Sequence, residues 1–158
     1  MKKRLKGVKT LTKCLDKFLS KWDLTSQFGT DFAYLYYKQT VVWTLAVTQQ
    51  NDIDFQNFFE SLGCNVKCDV FLYSLLHEVG HSQTLDDINE EDYAYALDRK
   101  AEPLTNAEYF RLPDEIAATR WAVDYLNEHT EEFREFWEEF VPLVMNFYKI
   151  NNIEIEEE

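Results

Sequence analysis

Glycine and proline are scarce here, four and three in a chain of 158 residues. That excludes collagen-like and Pro/Gly-rich low-complexity character. With 46% hydrophobic and 16% aromatic residues, the chain has enough apolar material for a real core and is expected to be globular rather than disordered. No repeat or linker interrupts it, so residues 1–158 are read as a single domain. No apolar run approaches the roughly 20 residues that cross a bilayer, which argues against a membrane span. The opening, MKKRLKGVKTLTKCL, is basic but lacks the apolar stretch and small-residue cleavage site of a signal peptide. The expected location is therefore the cytoplasm, that of the host cell if the protein is phage-encoded. Three cysteines, an odd number, fit reduced thiols there. Cys64 and Cys68 are four apart and lack the second pair of a zinc ribbon, so all three read as buried thiols.

Basic charge is in short supply outside one segment. Residues 1–21 carry eight Lys/Arg and one Asp, a net +7. The remainder carries eight Lys/Arg against 28 Asp/Glu, a net −20. An acidic body argues against nucleic acid as a partner, because phosphate contacts need a basic surface. The basic segment is expected to be a docked helix, its lysines facing water or the protein's own acidic surface.

Hydrophobic spacing gives the elements. Leu11, Leu15, Phe18, Leu19 and Trp22 make an apolar stripe, which predicts a helix over 8–22. DLTSQFGTD breaks that pattern. FAYLYY (32–37) and TVVWTLAV (40–47) are aromatic and β-branched and predict two strands, a hairpin across Lys38-Gln39. DIDFQNFFESLG suggests a short helix, and DDINEEDYAYALDRKAE a weaker or partly irregular one. Between them a helix is expected over 69–83. Pro113 opens a further helix, 113–128, and Thr130 another, 130–150, with Pro142 inside it. The predicted class is α+β: a small sheet early in the chain, packed on helices.

Histidine is also rare, and two of the three residues fall in one short stretch, LYSLLHEVGHSQT. His77 and His81 are i, i+4, so they share one helix face and can offer neutral imidazoles to one metal ion. Glu78 follows the first histidine and is placed to act as general base on a metal-activated water. The structural alternative is a core helix whose two histidines are satisfied by carboxylates. The apolar flanks Phe71, Leu72, Leu75, Leu76 and Val79 suit a buried helix. Gly80 weakens that helix by roughly 1 kcal/mol against alanine, which implies that a neighbouring backbone comes close.

A catalytic zinc needs a third protein ligand and an open position. His129 is a candidate, but it ends its helix in LNEHTEE, a surface context. Asp87 lies ten residues after His77, as in metzincins, but Thr84 stands where a turn glycine is needed and Met145 falls in a helix rather than a Met-turn. Glu115 opens the helix in LPDEIAATRWA, where Ala117, Ala118 and Ala122 clear a face for close packing. Glu115 is the expected third ligand.

HEVGH, followed some thirty residues later by this ExxA-type helix, resembles the gluzincin group of zinc metallopeptidases. It is similar to short forms from phages and mobile elements, the ImmA/IrrE-like peptidases and the C-terminal portion of ArdC-like proteins. The resemblance implies a zincin-like fold. It also implies Zn²⁺ held by His77, His81 and Glu115, with Glu78 as catalytic base. The position that supports a ligating histidine in that group is Thr119 here, where an Asp or Asn is usual. The implied substrate is a peptide or protein, bound as an added strand on the sheet edge, for which TVVWTLAV is the candidate. Oxyanion stabilisation falls to Tyr93, Tyr95, Tyr109 or Arg120. The competing expectation is a small acidic phage-type protein that binds a host protein and keeps zinc only as a structural staple.

Overall fold

The computed structural model describes residues 5–45 and 70–152. The expected short helix at 52–63 and the last residues of the second strand, 46–47, lie outside them, as do Cys64 and Cys68. Six α-helices and one three-stranded sheet are present among the described residues. The class is α+β, as the hydrophobic patterns predict.

The chain begins with α1 (Val8–Leu19), which runs on through a 3-10 turn, Ser20–Trp22. Four residues of its stripe, Leu11, Leu15, Phe18 and Leu19, are buried, and Trp22 packs partly buried against the core. Strands β1 (Thr25–Phe28), β2 (Ala33–Leu35) and β3 (Thr40–Trp43) follow. The helices then come in order: α2 (Val70–Thr84), α3 (Glu90–Lys100), α4 (Asn106–Phe110), α5 (Pro113–Glu128) and α6 (Thr130–Ile150). Their starts follow local chemistry. Asn89 caps α3 by accepting from the Asp92 amide, Thr105 and Glu108 form a capping box on α4, and Pro113 sits in the first turn of α5.

Two sheet expectations are corrected. The hairpin is real, β2 running antiparallel to β3 with Ala33 opposite Val42 and Leu35 opposite Thr40. Its connection is longer than Lys38-Gln39, however. Tyr36 and Tyr37 belong to the turn and are exposed, and Gln39 takes the left-handed conformation that closes it, φ 49°. The second correction concerns the edge. TSQF, read as a break, is strand β1, and it pairs in parallel with β3. The order β1-β3-β2 puts β3 in the middle, so TVVW is not an edge strand. Burial agrees, with Val41 and Trp43 both fully enclosed. The polar β1 is held by contacts that its own sequence does not announce. Asp16 of α1 accepts from the Ser26 amide at 2.6 Å, and the Thr25 and Thr40 hydroxyls meet at 3.0 Å.

One core joins these elements. Aromatic rings of α1 and α6 stack across each other, and Phe140 of α6 stacks on Phe71 in the first turn of α2. Trp43 is central, with Trp121 and Trp137 partly buried against the core. The basic N-terminal segment docks on acidic α6: Lys17 pairs with Glu139 at 3.4 Å, and Lys21 with Glu132. Among the described residues no helix is long and apolar enough to cross a membrane.

Candidate metal centre

The site is built where α2 crosses α5. The two helices touch through Gly80 and Ala118. A Cβ added at Gly80 would lie 2.3 Å from the Ala118 carbonyl oxygen, so only glycine permits this approach. Ala118 and Ala122 are fully buried, so small residues hold the backbones together. That closeness brings the first turn of α5 level with the histidines of α2.

Three donor atoms then converge. His77 Nε2 lies 2.6 Å from Glu115 Oε2, His81 Nε2 lies 3.0 Å from the same oxygen, and the two Nε2 atoms are 3.1 Å apart. Glu115 is 1% exposed and His77 5%. Both Nε2 atoms lie within hydrogen-bond distance of the carboxylate, so an Nε2–H can donate to Glu115 when no ion is present. With Nε2 deprotonated, the same three atoms aim lone pairs at one spot and can hold a cation at the centre. An ion at the roughly 2.0–2.2 Å typical of zinc–nitrogen and zinc–oxygen bonds can reach all three corners of so small a triangle. The donor set, two histidines and one glutamate, is one that catalytic zinc uses. The residues therefore fit the metal that the motif implies. His77 is oriented from behind, its Nδ1 2.9 Å from the buried Thr119 hydroxyl. That is the job of a partner that fixes the ring and its tautomer.

Electrostatics follow from the crowding. Burial pushes Glu115 up, but hydrogen bonds and charge from His77 and His81 overcome this and hold its carboxyl far below the usual range. Burial likewise pushes His81 down, and Glu115, with Glu78 and Asp114 beyond it, reverses the direction. Glu78 goes the other way. Burial raises its carboxyl, with Glu115 adding repulsion, and the histidines offset only part of the rise. Lys100 of α3 is pushed down by burial, but Glu115 and Asp114 raise it further, so it keeps its charge.

A cavity of about 330 Å³ opens on this cluster. Glu78, His81, Lys100, Asp114 and Glu115 supply its polar lining. Phe32, Tyr36, Leu85, Ile88 and Leu97 supply apolar lining, with β2 itself contributing Ala33 and Tyr34.

The candidates from the sequence are thus sorted by position. His77, His81 and Glu115 come together, and Glu78 lines the same cavity. Asp87 is exposed in the 3-10 turn Leu85–Asp87 and takes no part. His129 is exposed at the α5–α6 junction, stacked on Tyr125. Of the oxyanion candidates, Tyr93 and Tyr109 line the cavity. Tyr95 is 55% exposed, and Arg120 is also exposed; neither is among the lining residues. Tyr109 hydrogen-bonds Glu115, and burial together with that carboxylate keeps it a neutral phenol. Sequence reasoning missed Lys100 and Asp114. The only signals were an acid beside Glu115 and a lysine ending a helix in an acidic stretch.

No family model, curated protein or solved structure matches this chain. The meaning of the site rests on its own geometry.

Proposed function

We propose that this protein is a zinc-dependent peptidase of the gluzincin type, working in the cytoplasm of the cell that makes it. The observation that carries the reading is the convergence of His77 Nε2, His81 Nε2 and Glu115 Oε2 within 3.1 Å of one another, beside an open cavity that Glu78 also lines. When bound there, zinc would bring the pKa of a held water to about 7 and polarise the scissile carbonyl. Glu78 takes the proton of the attacking water and returns it to the leaving amine. Burial, which raises its carboxyl, makes Glu78 a stronger proton acceptor than a solvated glutamate. Tyr93 lines the cavity and is the tyrosine left to offer an O–H to the developing oxyanion, since Tyr109 already gives its own to Glu115.

The substrate in this reading is an extended peptide. Among the described residues β2 pairs only with β3 and its other edge has no strand partner, and Ala33 and Tyr34 of that strand line the cavity. A peptide can add to that edge as a further strand and run past the metal, with an apolar side chain resting among Phe32, Leu85 and Leu97. This moves the substrate strand from β3, the sequence candidate, to β2.

The competing reading is a host-protein binder with a structural zinc. It would call for a fourth Cys or His closing the sphere and no base. The groups able to hold metal among the described residues are His77 with Glu78 and His81, and His81 with Asp114 and Glu115, with no fourth Cys or His among them. The test is metal analysis with a peptide-cleavage screen on wild type and Glu78→Gln. One zinc per chain is expected in both, with hydrolysis only in the wild type. A zinc-free protein from zinc-replete growth would sink the proposal. So would cleavage that survives in Glu78→Gln.

A further inference from the structure

The two oxygens of Glu115 face different chemistry. Oε2 belongs to the histidine triangle, 2.6 Å from His77 Nε2 and 3.0 Å from His81 Nε2. Oε1 accepts a hydrogen bond from Lys100 Nζ at 2.9 Å. The same ammonium donates to Asp114 Oδ2 at 2.5 Å. Lys100 is the last residue of α3, whereas Asp114 and Glu115 lie in the first turn of α5. One cation therefore spans two helices to grip the face of Glu115 turned away from the histidines.

A carboxylate can give a metal one oxygen or both, and the second oxygen fills a position that water or substrate would otherwise take. Lysine is a compact point charge with three donors, and here two of them are committed to carboxylates. Charge balance gives the lysine a second task. The cavity brings together three carboxylates, on Glu78, Asp114 and Glu115. Two of them, Asp114 and Glu115, accept hydrogen bonds from Lys100, which supplies positive charge to both. Without it, Asp114 would be a buried carboxylate with its cation removed, which is unfavourable.

We infer that Lys100, anchored by Asp114, is a positioning residue that confines Glu115 to one-oxygen ligation and so keeps a coordination position open. This rests on the metal-centre reading above. A lysine that only tied α3 to α5 would make the same ion pairs but would leave the metal's surroundings unchanged when removed.

Cobalt(II) in place of zinc separates these cases, because its visible absorption is strong with four ligands and weakens as a fifth is added. The wild type is expected to take up one cobalt ion per chain with the strong absorption. Lys100→Met should still bind one ion, with affinity lowered roughly 10–100-fold and weaker absorption as Glu115 turns to give both oxygens. Lys100→Arg, which can still donate to Oε1, should restore much of the wild-type spectrum. The double variant Lys100→Met/Asp114→Asn removes the cation together with the carboxylate it neutralises. It guards against loss of folding and should match the Lys100→Met spectrum. A folded Lys100→Met or double variant with wild-type spectrum and affinity overturns the inference, as does a loss of stability without spectral change. If the wild type itself binds neither cobalt nor zinc, the metal reading falls and this inference with it.

Discussion

Where α2 meets α5, the contact is made by glycine and alanine, and the side chains beside it are charged. Where α1 meets α6, the contact is made by aromatic rings, and the charges are confined to the rim. The first gathers His77, His81, Glu115, Asp114 and Lys100, three of them with at most 7% exposure. The second stacks Phe18 on Phe136 at 4.2 Å, with Phe133 edge-on to Phe18 at 5.8 Å. Its ion pairs, Lys17–Glu139 and Lys21–Glu132, stay partly in water. Exposed pairs of that kind contribute about 0–1 kcal/mol, whereas enclosing ions costs several kcal/mol each before pairing repays it. The aromatic seam therefore accounts for stability by burial alone. The polar seam does not, since apolar side chains of the same volume would hold α2 to α5 as well or better. Its composition makes sense if a cation is to be bound there.

The comparison can be broken most directly at Glu115. Glu115→Ala should weaken zinc binding well beyond the 10–100-fold typical of a supporting residue. Asp87→Ala and His129→Ala, being remote from the cluster, should leave it unchanged in the same chelator competition. If Asp87→Ala strips the metal while Glu115→Ala keeps it, the polar seam is not a metal centre of this kind.

The aromatic seam is tested at Phe140, which is 1% exposed and stacks on both Phe136 and Phe71, so it ties the two regions together. Phe140→Ala should lower unfolding free energy by about 3–5 kcal/mol in urea. A loss below about 1 kcal/mol would mean the seam can collapse around the void, and that its stacking matters little.

Gly80→Ala sharpens the contrast because two effects compete. Helix propensity alone favours alanine by about 1 kcal/mol. The new methyl, however, meets the Ala118 backbone, which cannot swing aside as a side-chain tip would. A net loss of about 1–3 kcal/mol is expected, with weaker zinc binding as Glu115 is pushed from the histidines. A net gain in stability would show that α2 and α5 separate freely and that their closeness does not set the site.

The smallest effect concerns Cys14, a buried thiol of the aromatic seam. Burial, with repulsion from Glu139, raises its pKa from 9.0 to about 11. The folded state thus holds this proton more tightly than the unfolded chain. The stabilisation is complete below pH 9 and is lost as pH rises towards 11. Cys14→Ala should flatten the stability profile in that window and nowhere else. An unchanged slope would mean that the thiol is solvated in the folded state.

Much of this could be read in advance because the signals are local. The i, i+4 spacing of His77 and His81, Pro113 at a first turn, and the glycine opposite alanines each state a geometric requirement within a few residues. They fixed the bounds of α5 and named the donor atoms that converge. Strand β1 was not legible in this way. Thr25, Ser26 and Gln27 have no apolar alternation, and they become a strand only because β3 and Asp16 supply partners for their backbone. β3 was legible as a strand but not as the central one, since sheet order depends on what lies on either side. Lys100 was illegible for the same reason: a lysine ending an acidic helix is a weak signal, and its partners are fourteen and fifteen residues away in another helix. By itself, then, the sequence determined which side chains can do chemistry and which faces must be buried, because periodicity and covalent spacing are properties of the chain. Tertiary structure decided which strand lies at the centre of the sheet and which charge answers the buried carboxylates, because both depend on neighbours that only folding brings together.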